Sequence, residues 1–183
     1  MSVFKTKGII LKITKVKDKD FIYDVFTYDY GKIKIQKKDT KKEKTLDIGY
    51  IVNFEIETKQ GRDINKAKNI KIKSEFKYEN KEFKIINEYL NIIGQIYTKI
   101  PEGLPFKDIF EIIEAINDKN NLDSLKLILA KLKIIDYFGE LKLENDNIII
   151  KKILKFINEN KIKEVLKLGG IDEKTQKELK NIF

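Results

Sequence analysis

The chain contains neither histidine nor cysteine. Imidazole bases, thiolate nucleophiles, Ser-His-Asp triads and cysteine zinc sites are therefore excluded. Chemistry would fall to carboxylates, lysine, tyrosine and the three serines Ser2, Ser74 and Ser124. None of these serines sits in a nucleophile-elbow pattern, and neither GxxxxGK[ST] nor GxGxxG occurs. Asp18 and Asp20 lie two apart at an expected strand turn and could supply half of a magnesium site. Asp172 and Glu173 open an expected helix, where the helix dipole favours acids in any case. No convergent carboxylate cluster stands out. The expectation is a protein that is not an enzyme and needs no metal or cofactor, with a magnesium-dependent nuclease as the least favoured alternative.

Binding chemistry is better supplied. Lys12, Lys15, Lys17 and Lys19 cluster on a first hairpin, Tyr23, Phe26, Tyr28 and Tyr30 follow, and Lys32 and Lys34 come next. Lysines that track phosphates beside rings that stack bases are what single-strand binding requires. Half the aromatics of an alternating strand face the core, so Tyr23 and Phe26 point to opposite sides, and Tyr28 and Tyr30 are evenly balanced between exposed and core positions. Lys37, Lys38, Lys41, Lys42 and Lys44 follow in a polar stretch, KKDTKKEKT, that could grip phosphates or be a solvated charge run.

The charge distribution shows which elements carry this chemistry. Lysines number 37 against the single Arg62, alongside 33 isoleucines and 14 asparagines, a composition that codon bias alone can produce. Codon bias does not explain the asymmetry: residues 1–78 hold 20 basic and 11 acidic side chains, whereas residues 79–183 hold 18 of each. The whole net charge of +9 thus belongs to the first part. A basic module joined to a neutral one suggests polyanion binding coupled to protein contacts. No segment has the pattern of a signal peptide or a membrane span, and a soluble, cytoplasmic protein is expected.

Apolar residues alternate at Ile9, Leu11 and Ile13, at Phe21, Tyr23 and Val25, at Ile33 and Ile35, and at Tyr50, Val52, Phe54 and Ile56, which predicts half-buried strands. A hairpin is expected over residues 21–38, its turn at Tyr28 to Gly31 closed by Asp29. A KQGRD turn then leads to a last strand over residues 64–73. Five short strands predict a small antiparallel barrel. From about Ser74 the period becomes 3.6. Phe83, Ile86, Leu90, Ile93 and Tyr97 predict one helix face, and helices are expected over 106–117 and 122–138, with Asn121 as N-cap and Gly139 past the C-terminus. A small hairpin around Asn145 to Asn147 is one reading of residues 141–150. Two more helices are expected near 150–160 and 172–182, separated by Gly169 and Gly170. The fold class is α+β, with a barrel domain over 1–76 and an α-helical bundle over 77–183.

The run KTKGIILKITKVKDKDFIYDVFTYDYGKIKIQKK, with its charged turn, its strand ending in FT and its YG turn, resembles the N-terminal OB-fold barrel of the RecO recombination mediators. YLNIIGQIYTKIPEGLPFKDIFEIIEAIN resembles the first helices of that family, and LKLILAKLKIIDYFGEL its helix ending in a glycine. The resemblance covers about residues 4–141. Many members carry a four-cysteine zinc module, which this chain lacks, and Asp39 stands where the family often has a glycine.

The resemblance implies a DNA repair factor that binds single- and double-stranded DNA and anneals complementary strands. It also implies contact with the single-strand DNA-binding protein and, together with RecR, help in loading RecA. The DNA contacts would come from Lys12, Lys15, Lys32, Lys34, Lys37, Lys38, Lys41, Lys42, Lys44, Tyr28 and Tyr30. An acidic tail of the single-strand DNA-binding protein would meet Lys133 and Lys126 on the helical domain, where an amphipathic helix would carry surface lysines in any case. The alternative is a general OB-fold binder of single-stranded DNA or RNA without mediator activity.

Overall fold

A computed structural model describes residues 2–38, 44–58, 63–79, 81–119 and 122–182. The chain divides into two compact units, Met1–Asn80 with Leu90–Phe110, and Lys81–Tyr89 with Glu111–Phe183.

The first unit is built on β1 (Ser2–Lys17), β2 (Asp20–Thr27), β3 (Gly31–Lys38), β4 (Ile51–Thr58) and β5 (Ile64–Ser74). They close into a barrel in the order β1-β2-β3-β5-β4. Its interior is filled by Ile10, Tyr23, Val25, Ile35, Val52, Phe54 and Ile56. The expected five-stranded barrel is antiparallel except at its closure, where β3 and β5 run parallel, pairing Lys34 with Ile64, Ile35 with Asn65 and Gln36 with Lys66. The alternation over Ile9, Leu11 and Ile13 is also interrupted. The β1–β2 register shifts between Ile10 and Lys12, so a bulge at Leu11 puts Ile10 and Ile13 together on the barrel core. An extra residue in one strand reverses which face the following side chains take.

The β2–β3 turn falls at residues 28–30 as expected, but a different side chain closes it. The Thr27 hydroxyl accepts from the Tyr30 N–H at 3.0 Å and donates to the Gly31 carbonyl at 2.9 Å, while Asp29 accepts from the Thr6 hydroxyl at 2.7 Å. Thr27 is fully buried, so its hydroxyl needs these two partners, whereas Asp29 is exposed. Gly31 has φ +67°, and a Cβ there would lie 2.3 Å from the Leu104 carbonyl oxygen. Only glycine permits the Pro101–Phe106 connector to lie so close. The connector is fixed there by a parallel bridge between Lys32 and Glu102 and by the Gly103 N–H donating to the Lys32 carbonyl at 3.3 Å.

The helices are α1 (Phe83–Lys99), α2 (Lys107–Asn117), α3 (Ser124–Tyr137), α4 (Ile148–Glu159), α5 (Ile162–Val165) and α6 (Glu173–Lys180). On α1 the buried stripe is Ile85, Tyr89, Ile92, Ile93 and Ile96, whereas Phe83 is 81% exposed and Leu90 is 38% exposed. Apolar residues occur at helical spacing on two adjoining faces, so periodicity alone does not choose between them.

In the second unit α3 is buried nearly all round and packs against α4, α5 and α6. Its N-cap is Asp123, whose carboxylate accepts from the Lys126 N–H at 2.8 Å; Asn121 lies outside the described residues. Its C-terminus is a Schellman motif. Gly139, at φ +71°, donates to Asp136 at 2.9 Å and Glu140 donates to Ile135 at 3.0 Å. Residues 141–150 form no hairpin. Asn145 accepts from the Asn147 N–H at 2.9 Å, and Asn147 then caps α4. The short α5 was not anticipated. Asp172 caps α6, accepting from the Thr175 N–H and hydroxyl at 2.9 and 2.7 Å. Among the described residues no helix is long and apolar enough to cross a membrane.

Candidate nucleic-acid interface

The β strands distribute the lysines around the barrel, and the structure sorts them by what holds each ammonium. On β1, Lys12 is exposed and lies 5.4 Å from the centre of the Tyr97 ring. Lys32 at the start of β3 donates to the Tyr97 carbonyl at 2.9 Å and sits 5.0 Å from the same ring. Tyr97 therefore gathers two of the expected contacts, and Lys32 serves to anchor α1. Lys15 lies 3.7 Å from Asp18, and Lys34 lies 3.8 Å from Glu102; both pairs are solvent-exposed. Such pairs are weak and yield readily to a phosphate.

Lys44 makes a two-pronged contact with Glu75, 2.7 Å to each oxygen. The Glu75 carboxylate accordingly raises the Lys44 ammonium above its ordinary range. Lys41 and Lys42 lie outside the described residues.

Of the two tyrosines, Tyr28 is half-buried, meets the Phe110 ring edge-on at 5.5 Å, and has the Lys7 and Lys107 ammonium groups 4.3 and 4.9 Å from its centre. Its ring is already engaged. Tyr30 is 37% exposed and packs 5.9 Å from Phe4, itself 42% exposed.

Lys37 and Lys38 fall where β3 leaves its parallel pairing with β5. The strands diverge there into a groove of about 610 Å³, lined by Lys37, Lys38, Lys66, Lys68, Asn69 and Lys71 among others. The three β5 lysines were missed by the sequence reading. Their signal was the lysine alternation in INKAKNIKIKS, which places Ala67, Ile70 and Ile72 against the core and leaves Lys66, Lys68 and Lys71 outside. Five ammonium groups in one groove form a site for a polyanion.

Residues 1–76 match the family model described as Recombination protein O N terminal. The N-terminal domain is that of the RecO family. Its closed five-stranded barrel is the OB fold of that domain, and the match, which spans residues 1–76 of 183, supports a RecO-like role in DNA recombination and repair. No curated protein matches the chain.

The two lysines expected to meet a partner of RecO lie on α3. Lys126 pairs with Asp123 at 2.9 Å near the surface. Lys133 is not the surface lysine that was expected. It is 3% exposed, and its ammonium donates to Asp136 at 2.7 Å and to the Ile157 and Asn158 carbonyls at 2.8 and 3.3 Å. Packed where α3 meets the end of α4, the ammonium has no route to water, so it takes internal acceptors instead.

Proposed function

We propose that the chain is a RecO-type mediator that is not an enzyme. It binds single- and double-stranded DNA through its barrel and anneals complementary strands. With RecR it helps RecA load onto strands coated by the single-strand DNA-binding protein. The observation that carries this reading is the RecO match over residues 1–76, on a barrel whose β3 and β5 lysines share one groove. Annealing calls for weak, sequence-tolerant contacts to phosphates, and lysines supply these without reading bases. The neutral helical unit would provide the protein contacts.

The test is annealing of complementary labelled oligonucleotides already coated with the single-strand DNA-binding protein, with and without this chain, over a range of salt. Acceleration that fades as salt rises is expected. Binding to bare strands without acceleration of coated ones would favour a general single-strand binder, and loss of intact strands would point to a nuclease. Changing Lys41 and Lys42 together to Glu should weaken DNA binding at low salt and leave the fold intact.

A further inference from the structure

The groove between β3 and β5 continues past β5. Beside it lies a second depression of about 420 Å³, lined by Lys5 and Lys7 of β1, Asn53 and Glu55 of β4, and Asn69 and Lys71 of β5. Asn69 and Lys71 belong to both depressions, so the two form one trough that crosses β3, β5, β4 and the first half of β1.

The saddle between them has an identifiable cause. The β4–β5 register shifts between the Asn53–Lys71 and Glu55–Lys68 pairs, and Asn69, inside that bulge, has φ +52°. Such a bulge bends its strand and redirects the side chains that follow. The Asn69 carboxamide donates to Glu55 at 2.7 Å. Glu55 also lies 3.7 Å from Lys5, and Glu57 pairs with Lys68. The carboxylates of this face are thus engaged within it. Among the described residues, Lys38, Lys66 and Lys71 make no ion pair, although Asp20 and Glu57 lie opposite Lys38 and Lys66 in register, and the Lys5 side chain is 83% exposed.

We propose that a nucleic-acid backbone follows this trough, from Lys37 and Lys38 over Lys66 and Lys71 to Lys5, and bypasses β2. This route rests on the DNA-binding reading above and adds the surface that it uses. Among the described residues lining the trough the one ring is Phe54, which is buried in the barrel. The contacts are therefore with phosphates, and bases are neither stacked nor read. Single strands and duplexes should occupy the same lysines.

Two measurements on the full chain test the route. In the first, lysines are acetylated with and without a mixed-sequence single strand or the matching duplex, and the protected positions are read by mass spectrometry. Protection of Lys66, Lys71 and Lys5 by both nucleic acids is expected, with Lys12 and Lys15 still reactive. In the second, the salt dependence of binding is compared for Lys66→Glu/Lys71→Glu and Lys12→Glu/Lys15→Glu. The first pair should lower the single-strand slope by about 1.4, from roughly 0.7 per lost phosphate contact, and the second pair should lower it less. Lys66→Gln/Lys71→Gln serves if the charge reversal perturbs folding. Protection at Lys12 and Lys15 with Lys66 and Lys71 left reactive would overturn the route, as would a slope unchanged by the β5 variants or protection by single strands alone. A wild-type chain that binds no bare DNA would overturn the DNA-binding reading itself.

Discussion

Lys133 of α3 donates to the backbone carbonyl of Ile157, 2.8 Å away in the last turn of α4. The last carbonyls of a helix have no partner within it and carry its negative dipole end, so a buried ammonium completes α4 while α4 satisfies the ammonium. Asp136, 2.7 Å from the same ammonium, balances the charge. Lys133→Met should cost about 3–5 kcal/mol, because it strands Asp136 and the α4 carbonyls without their cation. Lys126→Ala, at a more exposed pair, should cost less than about 1 kcal/mol. Urea denaturation of the two variants would separate these roles, and equal costs would contradict them.

Gly31 and Gly139 share a left-handed backbone, at φ +67° and +71°, in different surroundings. A Cβ at Gly139 meets nothing within 4 Å, whereas one at Gly31 runs into the Leu104 backbone. Gly139→Ala should therefore show only the conformational cost of about 1–2 kcal/mol. Gly31→Ala should add about 1–3 kcal/mol of overpacking to it. Thermal melts of both proteins would check the ordering.

The Asp172 carboxyl is held below its ordinary value of 3.8 by the Thr175 N–H and hydroxyl. A depressed folded-state value means that the charged form contributes stability fully above pH 3.8, and that this is lost as the pH falls through the lower folded value. Asp172→Asn keeps a capping side chain without the ionisation. The stability difference between wild type and this variant should accordingly be constant near neutrality and shrink in acid. Urea midpoints measured across that range would reveal it, and a gap that stayed constant into strong acid would argue against the assignment.

Glu75 competes with phosphate for Lys44. Glu75→Gln should release the ammonium, return it toward its ordinary range and raise DNA affinity at low salt, steepening the single-strand salt slope by about 0.7. An unchanged slope would show that Lys44 lies off the DNA path.

The strands, the β2–β3 turn and most helices were legible because burial imposes periods of two and 3.6 on the sequence. What escaped depends on contacts distant in the chain. The bulge at Leu11 and the parallel β3–β5 closure depend on partner strands. Thr27 replaces Asp29 as the closing side chain because only the former is buried. Lys133 looks like any surface lysine until α4 is seen to end against it. The β5 lysines read as ordinary outward positions until β3 diverges beside them.

Barrel closure itself has an uneven strength. β1 and β4 pair over eight residues, from Ser2 with Thr58 to Ile9 with Ile51, whereas β3 and β5 are joined at three positions among the described residues. This join is the barrel's seam, and local opening starts where the fewest bonds hold. Backbone amides at Ile64 to Lys66 should exchange with solvent before those of the β1–β4 ladder. Any polyanion that bridges Lys38 on one side to Lys66 and Lys71 on the other would add its binding free energy to closure and act as a clasp across the seam.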